Sequence, residues 1–336
     1  MTDWLKKLKY NPLPALISST NKAVAYFARR DLLDEKVEII KAIWELPEPQ
    51  KMLHKQQPDG SWKKSVKNPD VYPPNHSQLL ETFKIFRILV EKYRFTKDHP
   101  SISKAAGFLL TFQTEDGDIR GFIGNQYATY YTGYLISLLI KAGYEGDSRV
   151  EKGLKWLLSM RQNDGGWTVP FLTRDYDRET WIRLTSTFMA PLEPDRSQPF
   201  SHMATDMVLR GFAAHSRYRR SNEAKAAGVL LKSRFFQKDA YTSYQSPKYW
   251  TRFAFWWPNL ITGLDSLFLL GFSGDDPDIK KGLSWFIDNQ QPDGLWKLES
   301  GKPVKPKDFE ERLWLGLSIC RIMKRYNQEC DSYSLP

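Results

Sequence analysis

Apolar residues recur at helical spacing along most of the chain, with charged residues, mainly lysines, falling between them. Four segments share this pattern closely: residues 104–110 read KAAGFLL, 152–157 read KGLKWL, 225–231 read KAAGVLL and 281–286 read KGLSWF. One face of each segment is apolar and the other is charged. The pattern therefore predicts amphipathic helices in an outer layer, with the lysines toward solvent.

A second set of helices is predicted before these segments, and it carries more aromatic residues and fewer charges. These helices are expected at 76–94, 125–142, 199–216 and 258–271, with additions at 20–31 and 307–327. Asp98, Asp147 and Asp276 stand between the two sets, where an aspartate can cap the first free N–H groups of a helix. The alternation predicts helical hairpins whose aromatic members form an inner layer.

A polar motif, Gln-x-Asp-Gly-x-Trp, follows the outer segments and occurs at residues 57–62, 162–167 and 291–296. Weaker copies begin at Gln113, without the tryptophan, and at Gln237. The Asp-Gly step predicts a tight turn in which glycine takes a positive φ, and the tryptophan is expected to pack back over the helix end. A repeat long enough for two helices predicts an all-α fold of five or six hairpins that closes as an α/α toroid.

This repeat resembles the QW repeat of squalene-hopene and oxidosqualene cyclases and of protein prenyltransferase β subunits, over most of residues 47–327. The chain is also similar to an uncharacterised microbial family of prenyltransferase/squalene-cyclase repeat proteins. The resemblance implies a single α/α-toroid domain over residues 1–336, stapled by glutamines that bond neighbouring helix ends and by stacked tryptophans. It also implies an isoprenoid or other elongated apolar ligand in a central aromatic cavity.

Composition and charge narrow the classes of partner. An apolar fraction of 41%, with 12 Trp, 16 Tyr and 19 Phe, suffices for a large core. The net charge of +10 is spread along the chain beside acidic residues, so no nucleic-acid partner is expected. Without an apolar run of signal-peptide or membrane-spanning length, the sequence favours a cytoplasmic location, and peripheral contact with a membrane stays open.

The catalytic signatures of the resembled families are missing from the sequence. It contains no D-x-D-D acid motif and no Asp-x-Cys pair with a nearby histidine for a zinc triad. Cys320 and Cys330 lack the spacing of a nitrogenase-type iron–sulfur cluster, and no phosphate-binding loop accompanies them. We therefore expect no metal or other cofactor, except that Mg²⁺ would enter if the ligand were a diphosphate.

Four aspartates are candidate acids. Asp175 and Asp177 lie in a long insert, residues 168–198, that is expected to fold over the mouth of the toroid and to bind a diphosphate or supply a proton. The alternative is a solvated loop with its own salt bridges. Asp206 and Asp265 lie on predicted inner helices, where burial would raise the pKa and favour a proton donor. The alternative for both residues is a structural role. Asp206 would then form a structural hydrogen bond, and Asp265 would bond to the backbone or pair with Arg252.

Aromatic residues and one histidine complete the candidate site. Tyr127, Tyr130, Tyr131 and Tyr134 fall at the spacing of one helix face, and Trp181, Trp256 and Trp257 add further rings. These rings are expected either to line a ligand cavity or to pack as core. His202, four residues before Asp206, suggests an oriented acid or a metal pair, against a structural pair. Two functions remain open. The first is a toroid that binds an apolar ligand and that, if it is an enzyme, acts as a terpene cyclase. The second is a non-catalytic scaffold for a lipid or protein partner.

Overall fold

A computed structural model describes residues 3–63, 75–186, 189–241, 246–253, 257–298 and 306–327. These ranges are mainly helical, with one short strand, β1 (Phe122–Asn125), so the predicted all-α class is confirmed. The α-helices are α1 (Leu13–Ile17), α2 (Lys22–Phe27), α3 (Lys41–Trp44), α4 (Pro47–Leu53), α5 (His76–Arg87), α6 (Pro100–Leu110), α7 (Thr129–Leu139), α8 (Ser148–Ser159), α9 (Arg178–Ser186), α10 (His202–Ala214), α11 (Asn222–Lys232), α12 (Leu260–Leu269), α13 (Pro277–Asp288) and α14 (Pro306–Arg325).

Contacts between Cα atoms divide the chain into two compact units. Unit 1 comprises Met1–Leu46, Leu231–Lys238 and Ser246–Pro336, and unit 2 comprises Pro47–Leu230 and Asp239–Gln245. Each unit contains the predicted pairs of inner and outer helices, such as α12 with α13 in unit 1 and α7 with α8 in unit 2. The single domain and the closure of the hairpins into a toroid remain predictions from the sequence.

The inner helices of unit 2 pack with their backbones in close approach. A Cβ atom on Gly133 of α7 would lie 2.5 Å from the Cα atom of Val208 on α10, and one on Gly211 of α10 would lie 2.8 Å from the Gly133 carbonyl oxygen. Every residue of α10 is buried. Two glycines facing each other therefore allow α7 and α10 to form the centre of this unit.

The predicted helix caps are mostly confirmed. The Asp147 carboxylate accepts from the Arg149 N–H at 2.9 Å at the start of α8, and Asp276 has the same role at the start of α13. At α6 the cap is His99, the residue after Asp98, which accepts from the Ser101 N–H at 3.2 Å. That cap is shifted by one position because Pro100 occupies the first helical turn.

The motif tryptophans pack back over the helix ends, as predicted. The indole Nε1 of Trp62, Trp167 and Trp296 donates to the carbonyl oxygen ten residues earlier, at 2.7, 2.6 and 2.7 Å respectively. In the degenerate copy the indole comes from Trp250, which donates to the Gln237 carbonyl oxygen at 2.9 Å. All four rings are almost fully buried. The tryptophans are therefore structural staples of the hairpins.

The glutamines that bridge hairpins of unit 2 stand at one fixed position before the turn. Gln56 donates through Nε2 to the carbonyl oxygens of Gly60, at 2.9 Å, and Ser101, at 2.8 Å. Gln113 forms the corresponding pair of bonds, one within its own turn and one to the Arg149 carbonyl oxygen at 2.8 Å. Ser101 and Arg149 lie in the first turn of the next outer helix. Each glutamine therefore ties one turn to the following hairpin.

This position differs from the anchor that the sequence motif suggests. The Gln57 and Gln291 side chains donate to carbonyl oxygens two residues earlier, at 3.1 and 3.0 Å. In unit 1 the bridging residue is Gln290, which donates to the Tyr10 carbonyl oxygen at 2.9 Å. In these two copies the bridging glutamine is thus not the first residue of the Gln-x-Asp-Gly-x-Trp motif, as the sequence suggested. It is the glutamine directly before the motif, Gln56 or Gln290. The N-terminal segment occupies the place that an outer helix takes in unit 2.

Candidate functional site

Four rings from three elements of unit 2 form an aromatic cluster, defined here as Phe83, Phe122, Tyr130 and Tyr131. The Phe122 and Tyr131 rings stack with their centroids 4.1 Å apart and an interplanar angle of 4°. Phe83 contacts both rings edge-on, at 5.3 and 5.4 Å, and Tyr130 lies 4.5 Å from Tyr131. Tyr130 and Tyr131 remain partly exposed. The cluster therefore presents aromatic surface on a rigid base of helix and strand.

The predicted stripe of four tyrosines is divided between three environments. Helix α7 begins at Thr129, so Tyr127 lies before it and packs against Trp156, with ring centroids 5.8 Å apart. Tyr130 and Tyr131 join the aromatic cluster. Tyr134 is fully buried one helical turn later. The prediction that all four tyrosines share one helix face is therefore wrong, because α7 starts too late to include Tyr127. Their ligand role remains a prediction.

Inner helices of unit 2 and the turns that follow them bring together a group of charged side chains that are buried or partly buried. The Tyr134 ring of this group packs edge-on against Phe83 of the aromatic cluster, with centroids 5.6 Å apart. The Tyr134 hydroxyl donates to a carboxylate oxygen of Glu91 at 2.5 Å, and the Lys141 ammonium donates to the other oxygen at 3.0 Å. The Arg210 guanidinium lies 4.6 Å from the Tyr134 ring centroid and donates to the Asp206 carboxylate at 2.8 Å. We refer to these five residues as the charged network.

The network fixes the ionisation of its members. Burial acts to raise the pKa of Glu91, but the Lys141 charge and the Tyr134 hydroxyl outweigh it and hold that pKa below its usual range. Burial, together with the Glu91 charge, raises the pKa of Tyr134 well above its usual value. Glu91 is therefore a carboxylate at neutral pH, and Tyr134 keeps its proton.

Asp206 and His202, predicted as a pair on one helix face, have separate partners. The fully buried Asp206 forms an ion pair with Arg210, one turn further along α10. His202 Nε2 lies 3.7 Å from the buried Asp239 carboxylate, which also accepts from the Ser201 hydroxyl at 2.7 Å. These contacts favour the structural alternative for both residues.

Asp265, in unit 1, was predicted to be a buried acid, and the structure corrects this prediction. Its side chain retains 35% exposure and forms an ion pair with Arg325 of α14. The residue before it, Leu264, is bonded to the C-terminal segment as well: the Tyr326 hydroxyl donates to the Leu264 carbonyl oxygen at 2.9 Å. The apolar neighbours of Asp265 in sequence point to other faces of α12, so they do not enclose its carboxylate.

The insert carries the other two candidate acids, and both are exposed. The Asp177 carboxylate accepts from the Thr180 N–H at 2.8 Å and so caps α9; bonds to Thr180 lower the pKa of Asp177. Trp181, on the same helix, is 41% exposed and lies 5.1 Å from the Phe171 ring. A helix cap explains Asp177, while a ligand role for Asp175 or Trp181 remains a prediction.

The two remaining rings belong to the segment before α12. Trp257 is partly exposed, and its carbonyl oxygen accepts from the Asn259 amide at 2.8 Å. Trp256 lies outside the described residues. The ligand role of both positions remains a prediction.

In the described ranges, no group of three or more His, Cys, Asp and Glu side chains is placed to hold a metal ion. Nor does any helix there combine the length and apolar character needed to cross a bilayer.

Comparison with known proteins gives structural similarity at low sequence identity. No protein-family model matches the chain. A solved protein from Actinoplanes gives a TM-score of 0.46 at 14% identity, covering 86% of this chain and 88% of that one. The type II terpene cyclase MstE from Scytonema gives 0.45 at 12% identity, covering 94% and 98%. A variant of MstE in complex with its substrate, geranylgeranyl dihydroxybenzoate, also gives 0.45 at 12%, covering 96% and 99%.

Proposed function

We propose that unit 2 binds an elongated apolar ligand of the isoprenoid class on the aromatic cluster. The observation that carries this proposal is the partly exposed Tyr131, which is stacked on the buried Phe122 and extended by the partly exposed Tyr130. Flat, fixed rings offer apolar contact area at little cost in side-chain entropy, because the stack already restricts their rotation. The resemblance of the hairpin repeats to those of terpenoid cyclases selects isoprenoids as the first ligands to test.

The proposed role is binding, without an assigned catalytic step. An acid that starts a cyclisation must carry a proton and aim it into an apolar site. Glu91 is held as a carboxylate by Lys141 and Tyr134, and Asp206 is paired with Arg210. These contacts pair both carboxylates of the charged network with cations. They stabilise the inner helices and give the cluster a rigid base.

The expected affinity is modest. A C20 alcohol has about 21 non-hydrogen atoms, and about 0.3 kcal/mol per atom corresponds to roughly 6 kcal/mol of binding free energy. That value is equivalent to a Kd of about 10–100 µM. Binding in this range is measurable by equilibrium dialysis with radiolabelled geranylgeraniol.

The test compares two tyrosine substitutions in unit 2. Tyr131→Leu removes the stacked ring and keeps an apolar side chain, so we expect the Kd to rise about threefold to tenfold. Tyr144→Leu is the matched control: this half-buried tyrosine ends the turn after α7 and has no contact with the cluster among the described interactions. The control is expected to bind as the wild type does.

Product analysis separates binding from catalysis. Geranylgeraniol, and geranylgeranyl diphosphate with Mg²⁺, are incubated with the protein and extracted for chromatography. We expect both to be recovered unchanged. A cyclised product would overturn the binding-only role, and a lack of saturable binding would remove the isoprenoid proposal itself.

A further inference from the structure

A cleft of about 400 Å³ opens in unit 2 beside the copy of the repeat that begins at Gln113. It shares no residue with the aromatic cluster, and its lining includes Tyr127, Lys155, Trp156, Glu193 and Arg196. In this copy Ile119 takes the place of the motif tryptophan. Its backbone N–H donates to the Thr132 hydroxyl oxygen, just as the Trp62 N–H donates to the Thr82 hydroxyl oxygen in the first copy. The cleft therefore lies where the repeat departs from its own pattern.

The residues that replace the motif hold Tyr127, which lines the cleft. Asp118 is fully buried and binds the Thr114 hydroxyl and the Arg120 guanidinium. Arg120 also donates to the Asn125 carbonyl oxygen at 3.1 Å, and its guanidinium carbon lies 4.6 Å from the Tyr127 ring centroid. The Tyr127 ring is thus held on one side by a guanidinium that is itself fixed by a buried carboxylate.

The insert contributes Glu193 and Arg196 to the lining and is held by two buried amides. Gln126 donates to the Ala190 carbonyl oxygen at 3.3 Å and accepts from the Leu192 N–H at 3.0 Å. Gln162 donates to the Asp195 carbonyl oxygen at 2.7 Å. These two glutamines are only 1% and 4% exposed. This part of the lining is therefore fixed before any ligand arrives, which lowers the entropy lost on binding.

The cleft combines an aromatic floor with charges of both signs. Trp156 lies against Tyr127, with ring centroids 5.8 Å apart. Asp116 and Glu193 contribute two carboxylates to the lining, and Lys155 and Arg196 contribute two cations. Glu193 accepts from the Tyr127 hydroxyl at 3.1 Å, and Arg196 donates to the Ser159 carbonyl oxygen at 2.5 Å, so one charge of each sign is anchored.

We propose that this cleft binds a small zwitterion that carries an aromatic group, of the α-amino acid type. A ligand with a single charge could form ion pairs only with the cations of the lining or only with its carboxylates. A zwitterion complements both, with its ammonium group toward Glu193 and its carboxylate toward Arg196. Its ring packs on the floor formed by Trp156 and Tyr127.

Three probes of matched shape test the proposal by calorimetry with the full chain. L-Phenylalanine carries both charges, 3-phenylpropionate lacks the ammonium group and 2-phenylethylamine lacks the carboxylate. We expect L-phenylalanine to bind with a Kd of about 0.1–1 mM, at least about tenfold more tightly than either single-charge probe. Equal affinity of the three probes, or no saturable binding at millimolar concentration, would overturn the proposal.

A charge-removing variant identifies the site. Glu193→Gln keeps an acceptor for the Tyr127 hydroxyl, so the fold is expected to be unchanged. It should weaken L-phenylalanine about tenfold and leave 3-phenylpropionate unaffected, because only the former carries an ammonium group. Glu179→Gln, at an exposed carboxylate on α9 of the same insert, is the matched control and should bind as the wild type does. Discrimination that survives Glu193→Gln would place the binding elsewhere.

Discussion

Gly117→Ala is the substitution that tests the hairpin contacts most sharply. Gly117 ends the turn of the second repeat copy with a φ of +112°, which L side chains rarely adopt. A Cβ atom there would lie 2.6 Å from the carbonyl oxygen of Lys152, in the next outer helix. Alanine at this position must therefore adopt a strained backbone and must also push α8 away from the turn.

The two effects set the expected size of the destabilisation. A left-handed backbone costs an L residue about 1–2 kcal/mol. Relief of a steric overlap by backbone movement costs about 1–3 kcal/mol more. We therefore expect Gly117→Ala to lower the free energy of unfolding by about 2–5 kcal/mol.

The control is a glycine on the outer helix α6. A Cβ atom on Gly107 would have no neighbour within 4 Å, and the residue is exposed. Gly107→Ala is expected to stabilise the protein by about 0.5–1 kcal/mol, because alanine favours a helix interior. Urea denaturation followed by circular dichroism measures both variants. Equal stability of the two variants would refute the close approach of the turn to Lys152.

Two further substitutions address the glutamine staples and the charged network. Gln56→Ala removes one hydrogen bond within its own turn and one that bridges to the next hairpin, and should lower the free energy of unfolding by about 1–2 kcal/mol. Gln57→Ala should change it by less than about 0.5 kcal/mol, and equal effects would restore the motif's own register. Folding lowers the pKa of Glu91 below its usual value, so the stabilisation from this carboxylate is present above that usual value and is lost as pH falls through the lower folded-state pKa. Denaturation curves across this acidic range should thus show a smaller loss of stability for Glu91→Gln than for the wild type, and parallel losses would contradict the pairing.

Local pattern was sufficient to predict the hairpins. The apolar spacing at residues 152–157 and the cap at Asp147 together indicated α8, and the Asp-Gly step indicated the turn that follows it. The packing of Trp167 back onto the helix end also followed from local spacing. These features depend on residues close in sequence, so periodicity and capping chemistry were enough to predict them.

The surroundings of the candidate acids depended on residues far away in sequence. Asp265 meets Arg325 across 60 positions, and Glu91 meets Tyr134 across 43. Neither partner is marked by a motif, so apolar neighbours alone suggested that Asp265 is buried. The sequence analysis also missed the stacked pair Phe122 and Tyr131. Phe122 lies in a short strand, whereas the sequence pattern predicted only helices.

Titration of geranylgeraniol into the wild-type protein and the Tyr131→Leu variant is the decisive measurement for a ligand site on the aromatic cluster. We predict saturable binding with a Kd of about 10–100 µM for the wild type and a threefold to tenfold higher Kd for the variant. Identical Kd values for the two proteins, or no saturation in either, would contradict a ligand site on the aromatic cluster.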